Sequence, residues 1–210
     1  MIRLDIFSDP VCPWCLIGKL ELDRALESRP DHPVAITWHP FRLNPQMPRE
    51  GMDRLDYLKA KPGAADAARA AAERAAAMGL ELKLPMRQPD TTDAHRLMHW
   101  AGLEGAQSRV MSGLLRAFWQ EARDIGDKTE LARIAGAAGM DEALAARLLD
   151  SDADREEVIS REMHARRRGI NAVPMYIVAD SHAVSGAQPA SLWQNVIDEL
   201  TQDNGRSGQH

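Results

Sequence analysis

The sequence predicts an α/β fold carrying a large all-helical insertion, and three observations predict it. The N-terminal segment reads strand, helix, strand, the start of a βαβ unit. Residues 52–168 then show helical periodicity almost throughout, without a strand signal. Strands return at Met175, followed by a terminal helix with one apolar face.

Each element has a local cause. Ile2-Arg3-Leu4-Asp5-Ile6-Phe7 alternates as a strand does. Leu16, Ile17, Leu20, Leu22, Ala25 and Leu26 recur at helical spacing. Val34 to Trp38 is a second strand, entered through Arg29-Pro30-Asp31-His32-Pro33. His39 to Pro48 holds three prolines and reads as an extended, irregular connection. Met52–Lys59 reads as a short helix, and Ala64–Met78 as an alanine-rich one with Gly79 closing it. Leu80–Pro89 reads as a loop. Thr92 is placed as the cap of a helix ending near Gly102, and helices follow at 108–121, 128–138 and 141–149. A charged helix starts at Asp152 or Asp154 and runs to Arg168. Met175–Val178 and Ala183–Ser185 form a hairpin through Asp180-Ser181, and Pro189 opens the last helix.

Ser8-Asp9-Pro10-Val11-Cys12-Pro13-Trp14-Cys15 joins the first strand to the first helix and holds the only two cysteines of the 210-residue chain. Cys12 therefore sits near a helix N-terminus, where outward backbone N–H groups and the positive dipole end favour a thiolate, the attacking species. Pro13 suits the first helical position, where its missing N–H has no intrahelical partner to lose. Zinc wants four ligands, and this single pair has no second Cys pair or suitably spaced His pair nearby. His95 and His99 lie four apart on one helix face but lack the glutamate of a zinc-protease motif and a third ligand. A purely structural disulfide closing so short a loop adds little and is unusual in reducing cytosol. A redox dithiol is the favoured reading, with only Cys12 exposed.

A net charge of −5 argues against a general nucleic-acid surface. No apolar run approaches the roughly 20 residues that span a bilayer. No basic stretch followed by an apolar one precedes the first strand, so a cytoplasmic location is expected. His39 and Arg42 are read as solvated loop charges, and Arg166-Arg167-Arg168 as a solvated helix end complementing the dipole.

Several blocks carry a family resemblance: Asp9 to Cys15, Ile17-Gly18-Lys19, Trp38 with Pro40 to Pro45, Asp93-Ala94-His95-Arg96-Leu97, Arg123 to Asp127, Gly169 with Val173-Pro174, and Ser185 to Pro189. Together the chain resembles the DsbA family of thioredoxin-fold oxidoreductases, in its FrnE-like branch. The resemblance implies a discontinuous thioredoxin-like domain at 1–45 and 155–203, a helical insertion at 46–154 and a flexible tail at 204–210. It implies a cis Pro174 facing the dithiol, with the Val173 backbone free to pair with a substrate strand. Catalytic roles fall on Cys12 and Cys15, and substrate-binding roles on Pro13, Trp14, Val173 and Pro174, with no metal. No permanently bound cofactor is expected beyond the redox-active Cys12–Cys15 disulfide, with glutathione as a candidate ligand. Partners are thiol- or disulfide-containing proteins or small molecules, and monomer and homodimer both stay open. The alternative on the same architecture is a glutathione-dependent transferase or isomerase of the kappa-class or hydroxychromene-carboxylate isomerase type. Those proteins usually carry serine where Cys12 stands, so the retained pair favours disulfide exchange.

Overall fold

The computed structural model describes residues 1–83 and 85–207, with side chains through residue 202. A four-stranded sheet has the order β2-β1-β5-β6, built from β1 (Ile2–Ser8), β2 (Val34–Pro40), β5 (Met175–Val178) and β6 (His182–Ser185). Strand β1 runs parallel to β2, from Ile2 opposite Val34 to Ser8 opposite Pro40, and antiparallel to β5. The crossover from β1 to β2 is α1 (Pro13–Glu27). The second strand thus continues two residues beyond the alternating pattern. Pro40 is tolerated there because it ends the strand.

Alternation along β1 sorts its side chains onto two faces. Ile2, Leu4 and Ile6 enter the main core, which Trp193 and Ile197 of the terminal helix share. Arg3, Asp5 and Phe7 point to the other face. The helices between β2 and β5 are α2 (Arg54–Ala60), α3 (Ala64–Ala77), α4 (Thr92–Leu103), α5 (Gln107–Trp119), α6 (Lys128–Ala137), α7 (Glu142–Leu149) and α8 (Arg155–Arg167). Of these, α4, α5 and α8 pack directly on the sheet. The Gln107 side chain accepts from Trp38 N and donates to Trp38 O, and the Trp38 indole donates to Ser108 Oγ. One apolar core therefore runs from β1 through α4 and α5 to α7.

Three expectations about the elements themselves need correction. The helical block contains a two-stranded ribbon, β3 (Met52–Asp53) against β4 (Arg87–Gln88). Two-residue strands are too short to show a period. This pair depends on Gly51 at φ +69°, where a Cβ would come within 2.6 Å of Gln88 O. Thr92 is the first helical residue of α4, and its N–H and hydroxyl both donate to the Asp90 carboxylate. The terminal helix α9 (Ala190–Ser207) continues through 204–207, where a tail was expected; residues 208–210 lie outside the described residues.

Buried charges tie the layers together. Arg42, read as a solvated loop charge, is buried and bonds Glu162 at 2.5 Å and Thr92 Oγ1 at 3.0 Å. Arg166 donates to the same Glu162 and to Arg42 O, and lies 4.1 Å from the Phe41 ring centroid. Only Arg167 and Arg168 of that run are exposed. His39 belongs to β2: its Nε2 meets Asp5 Oδ1 at 2.7 Å and its ring stacks on Phe7.

Candidate active site

Cys12 is the N-cap of α1, with extended backbone (φ −85°, ψ 120°), and Pro13 is the first helical residue. The local sequence explains this. Pro13 lacks the N–H that a helix start leaves unpaired, and it disfavours helical geometry at the residue before it. The turn closes when Cys12 N donates to Asp9 O at 2.9 Å and Cys15 N donates to Cys12 O at 3.1 Å.

Two distant segments hold this loop from below. The Asp9 carboxylate is fully buried and its Oδ2 accepts from Leu43 N at 2.7 Å. The Trp119 indole donates to Pro10 O at 2.9 Å. Arg54 braces that indole, its guanidinium 5.3 Å from the Trp119 ring centroid. Neither Asp9 nor Trp119 was singled out from the sequence. Asp9 carried a signal through its place beside the dithiol; Trp119, more than a hundred residues away, carried none.

From the other side comes the loop before β5. The Val173–Pro174 peptide is cis, as the resemblance implied. The Cys12 thiol reaches Val173 O at 3.6 Å. Cys12 is only 4% exposed and Cys15 2%, so the expected contrast in accessibility is absent. Both sulfurs sit beneath the loops that converge on the start of α1.

The two thiols differ instead in environment. Burial pushes the Cys15 thiol well up from its ordinary value, and the adjacent Cys12 adds to the rise. The Ser8 hydroxyl and the Asp9 backbone oppose it. The native state keeps the Cys15 proton where an unfolded thiol releases it. This contribution to the stability of the reduced protein is therefore intact below pH 9.0, the ordinary value, and declines as pH rises above it. Thermal melts of reduced protein between pH 8 and 10 should show that decline, and Cys15→Ala should flatten it.

Gly18 fixes how closely α1 meets the proline loop. A Cβ there would collide with the Tyr176 hydroxyl and lie 3.2 Å from Pro174 Cγ. Gly18→Ala should cost about 1–3 kcal/mol of stability by overpacking and lower activity by displacing the loop. Adding Tyr176→Phe removes the colliding oxygen, so the double variant should recover most of both losses. Melting temperature and turnover of the two variants check this.

The remaining sequence candidates separate. Trp14 is half-buried and packs against the cluster of Ile17, Ala71 and Ala75. His95 is buried with its Nε2 3.6 Å from Asp9 Oδ1, while His99 faces Arg161 at 3.1 Å. The two histidines thus serve different neighbourhoods.

A mixed sheet with a dithiol at the first turn of the helix after β1, faced by a cis-proline loop and capped by inserted helices, defines a thioredoxin-fold protein of the DsbA-like kind. Such proteins act on thiols and disulfides. The chain belongs to the DSBA-like thioredoxin domain family, whose model matches residues 3–198. It is 25% identical over 201 residues to the uncharacterized protein YwbO of Bacillus subtilis (strain 168), covering 94% of this chain and 96% of that one. Among solved structures it is similar to the probable DsbA oxidoreductase SCO1869 from Streptomyces coelicolor, with TM-score 0.82, 29% identity, and 95% and 89% of the two chains covered. It shares its fold with the cytosolic disulfide reductase DsbM from Pseudomonas aeruginosa, at TM-score 0.66, 16% identity, and 95% and 98% coverage. No helix among the described residues is long and apolar enough to cross a membrane.

Proposed function

We propose that this protein is a cytoplasmic thiol–disulfide oxidoreductase that exchanges disulfides through a mixed disulfide on Cys12. The observation that carries the reading is the Cys12 sulfur at the N-cap of α1, in reach of the Val173 carbonyl. Cys12, as thiolate, attacks one sulfur of a substrate disulfide. A Cys12–substrate bond forms and the first substrate thiolate leaves. Cys15 then gives up its proton and attacks Cys12 Sγ. The second substrate thiolate leaves, and a Cys12–Cys15 disulfide remains. A small thiol such as glutathione returns the pair to the reduced state by the reverse exchange.

The asymmetry between the thiols supports this order. A Cys15 held protonated does not compete for substrate and acts only once Cys12 carries it. The Val173 carbonyl loses its thiol donor when Cys12 forms a disulfide, which leaves it open to a substrate backbone N–H. Pro13 and Trp14 flank that position at the start of α1. The cytosolic character of DsbM agrees with the proposed compartment.

Glutathione-coupled reduction of insulin disulfides tests the reading. Wild type should accelerate it and Cys12→Ser should not. Equal rates for the two would overturn the proposal.

A further inference from the structure

The face of the sheet turned away from α1 carries a second cleft, between β1, β2, β5 and α8, with a volume of about 530 Å³. That lies within the range of small-molecule sites. None of its lining residues belongs to the dithiol loop, and Arg168 and Ile170 stand at the start of the loop that carries Pro174. The alternation that sends Ile2, Leu4 and Ile6 into the core sends Arg3, Asp5 and Phe7 here.

The lining is built in two parts. The floor is largely apolar: Phe7, Ile170 and Ile177, with the His39 ring stacked on Phe7 at 4.8 Å and 22° between planes. His39 is locked in place through Nε2 to Asp5 Oδ1, and Asp5 also accepts from Arg3 Nε at 2.8 Å. Burial pushes the His39 imidazole down, against the pull of Asp5, so the ring presents a neutral surface near pH 7. The wall is cationic. Of the four arginines, Arg3 is paired with Asp5 and Asp180. Among the described residues, Arg161, Arg167 and Arg168 have no carboxylate within salt-bridge distance. Arg161 holds only His99, at 3.1 Å. Three acids, Asp5, Glu157 and Asp180, also line the cleft, so its arginines exceed its acids by one. A single net positive charge suits a monoanion, and a dianion would meet repulsion from those acids. An apolar floor edged by the stacked Phe7 and His39 rings, below a guanidinium wall, suits a small hydrophobic body with a carboxylate at its edge.

We propose that this cleft binds a small planar apolar monocarboxylate, such as an aromatic acid, with its ring over Phe7, His39 and Ile177 and its carboxylate on Arg161 and Arg168. The site holds neither cysteine, and its binding does not require the exchange reaction.

The probe is 2-naphthoate titrated into the whole ¹⁵N-labelled protein, with 2-naphthamide and acetate as controls. The expected result is saturable amide shifts confined to Arg3–Phe7, the Arg161–Arg168 turns and Ile177, with both controls binding at least about tenfold more weakly. Arg161→Met with Arg168→Met should weaken 2-naphthoate by at least about tenfold while leaving insulin reduction unchanged. A Cys12→Ser, Cys15→Ser protein should bind as wild type does, which separates this site from the redox reading. No saturable shift, shifts centred on the dithiol, or equal binding of acid and amide would each overturn the proposal. The acid–amide comparison on wild type decides it even if the double variant fails to fold.

Discussion

Cys15→Ser should stall turnover on a covalent intermediate, with substrate held on Cys12 and exchange reduced to background. In that variant the mixed disulfide forms but nothing evicts its partner. Cys12→Ser should form no such adduct, since the remaining Cys15 is held protonated. Non-reducing electrophoresis and intact-mass measurement read the adduct directly, and reductant should release it. Trapping on Cys12→Ser at the level of Cys15→Ser would reverse the assigned roles. An adduct missing from both would end the exchange mechanism. The same experiment names the substrate, because the trapped partner can be identified.

Arg96→Met should be the most destabilising single substitution outside the dithiol loop. Arg96 is 1% exposed. Its guanidinium donates to the Asp93 carboxylate at 2.7 Å and to three backbone carbonyls: Ala153 at 2.6 Å, Leu148 at 2.7 Å and Ser151 at 2.9 Å. It also lies 5.0 Å from the Trp100 ring centroid. These carbonyls belong to the end of α7 and the turn into α8, so one side chain closes the connection between those helices. Methionine fills much of the same volume but takes the guanidinium donor from the Asp93 carboxylate and from the Ala153 and Ser151 carbonyls; Leu148 O keeps its bonds from Ser151. Each orphaned acceptor costs on the order of 1–3 kcal/mol, and breaking a buried ion pair alone costs about 3–5 kcal/mol. A loss of about 4 kcal/mol is expected, or a fall in melting temperature of about 10 °C for a chain of this size. Lysine should not rescue it, because one ammonium cannot reach a ring of acceptors spread over the guanidinium fork. A melting temperature within two or three degrees of wild type, on the same scale, would contradict this account.

The contrast between these two predictions shows what could be read in advance. Cys12, Cys15 and their place at a strand–helix junction follow from a few adjacent residues. Arg96 stood in a recognised block with Asp93 one turn before it, yet the three carbonyls it binds lie more than fifty positions away and left no trace in the spacing around it. Arg42 and His39 failed in the same way. Read locally they are polar residues in a proline-rich stretch; folded, one meets Glu162 across the molecule and the other meets Asp5 on the neighbouring strand. Gly18 looked like an ordinary helical glycine until Tyr176 and Pro174 were set against it. The small ribbon of β3 and β4 was invisible because two residues do not make a period.

The sequence alone determined the periodic elements, their order and the position of the dithiol, because hydrophobic period, proline and cap chemistry act over a few residues. Only the tertiary structure decided which charges are buried and paired, how deeply both sulfurs sit, and that one face of the sheet is left as a cationic cleft. Those properties depend on which distant segments share a low-dielectric space, and neighbours along the chain do not specify that.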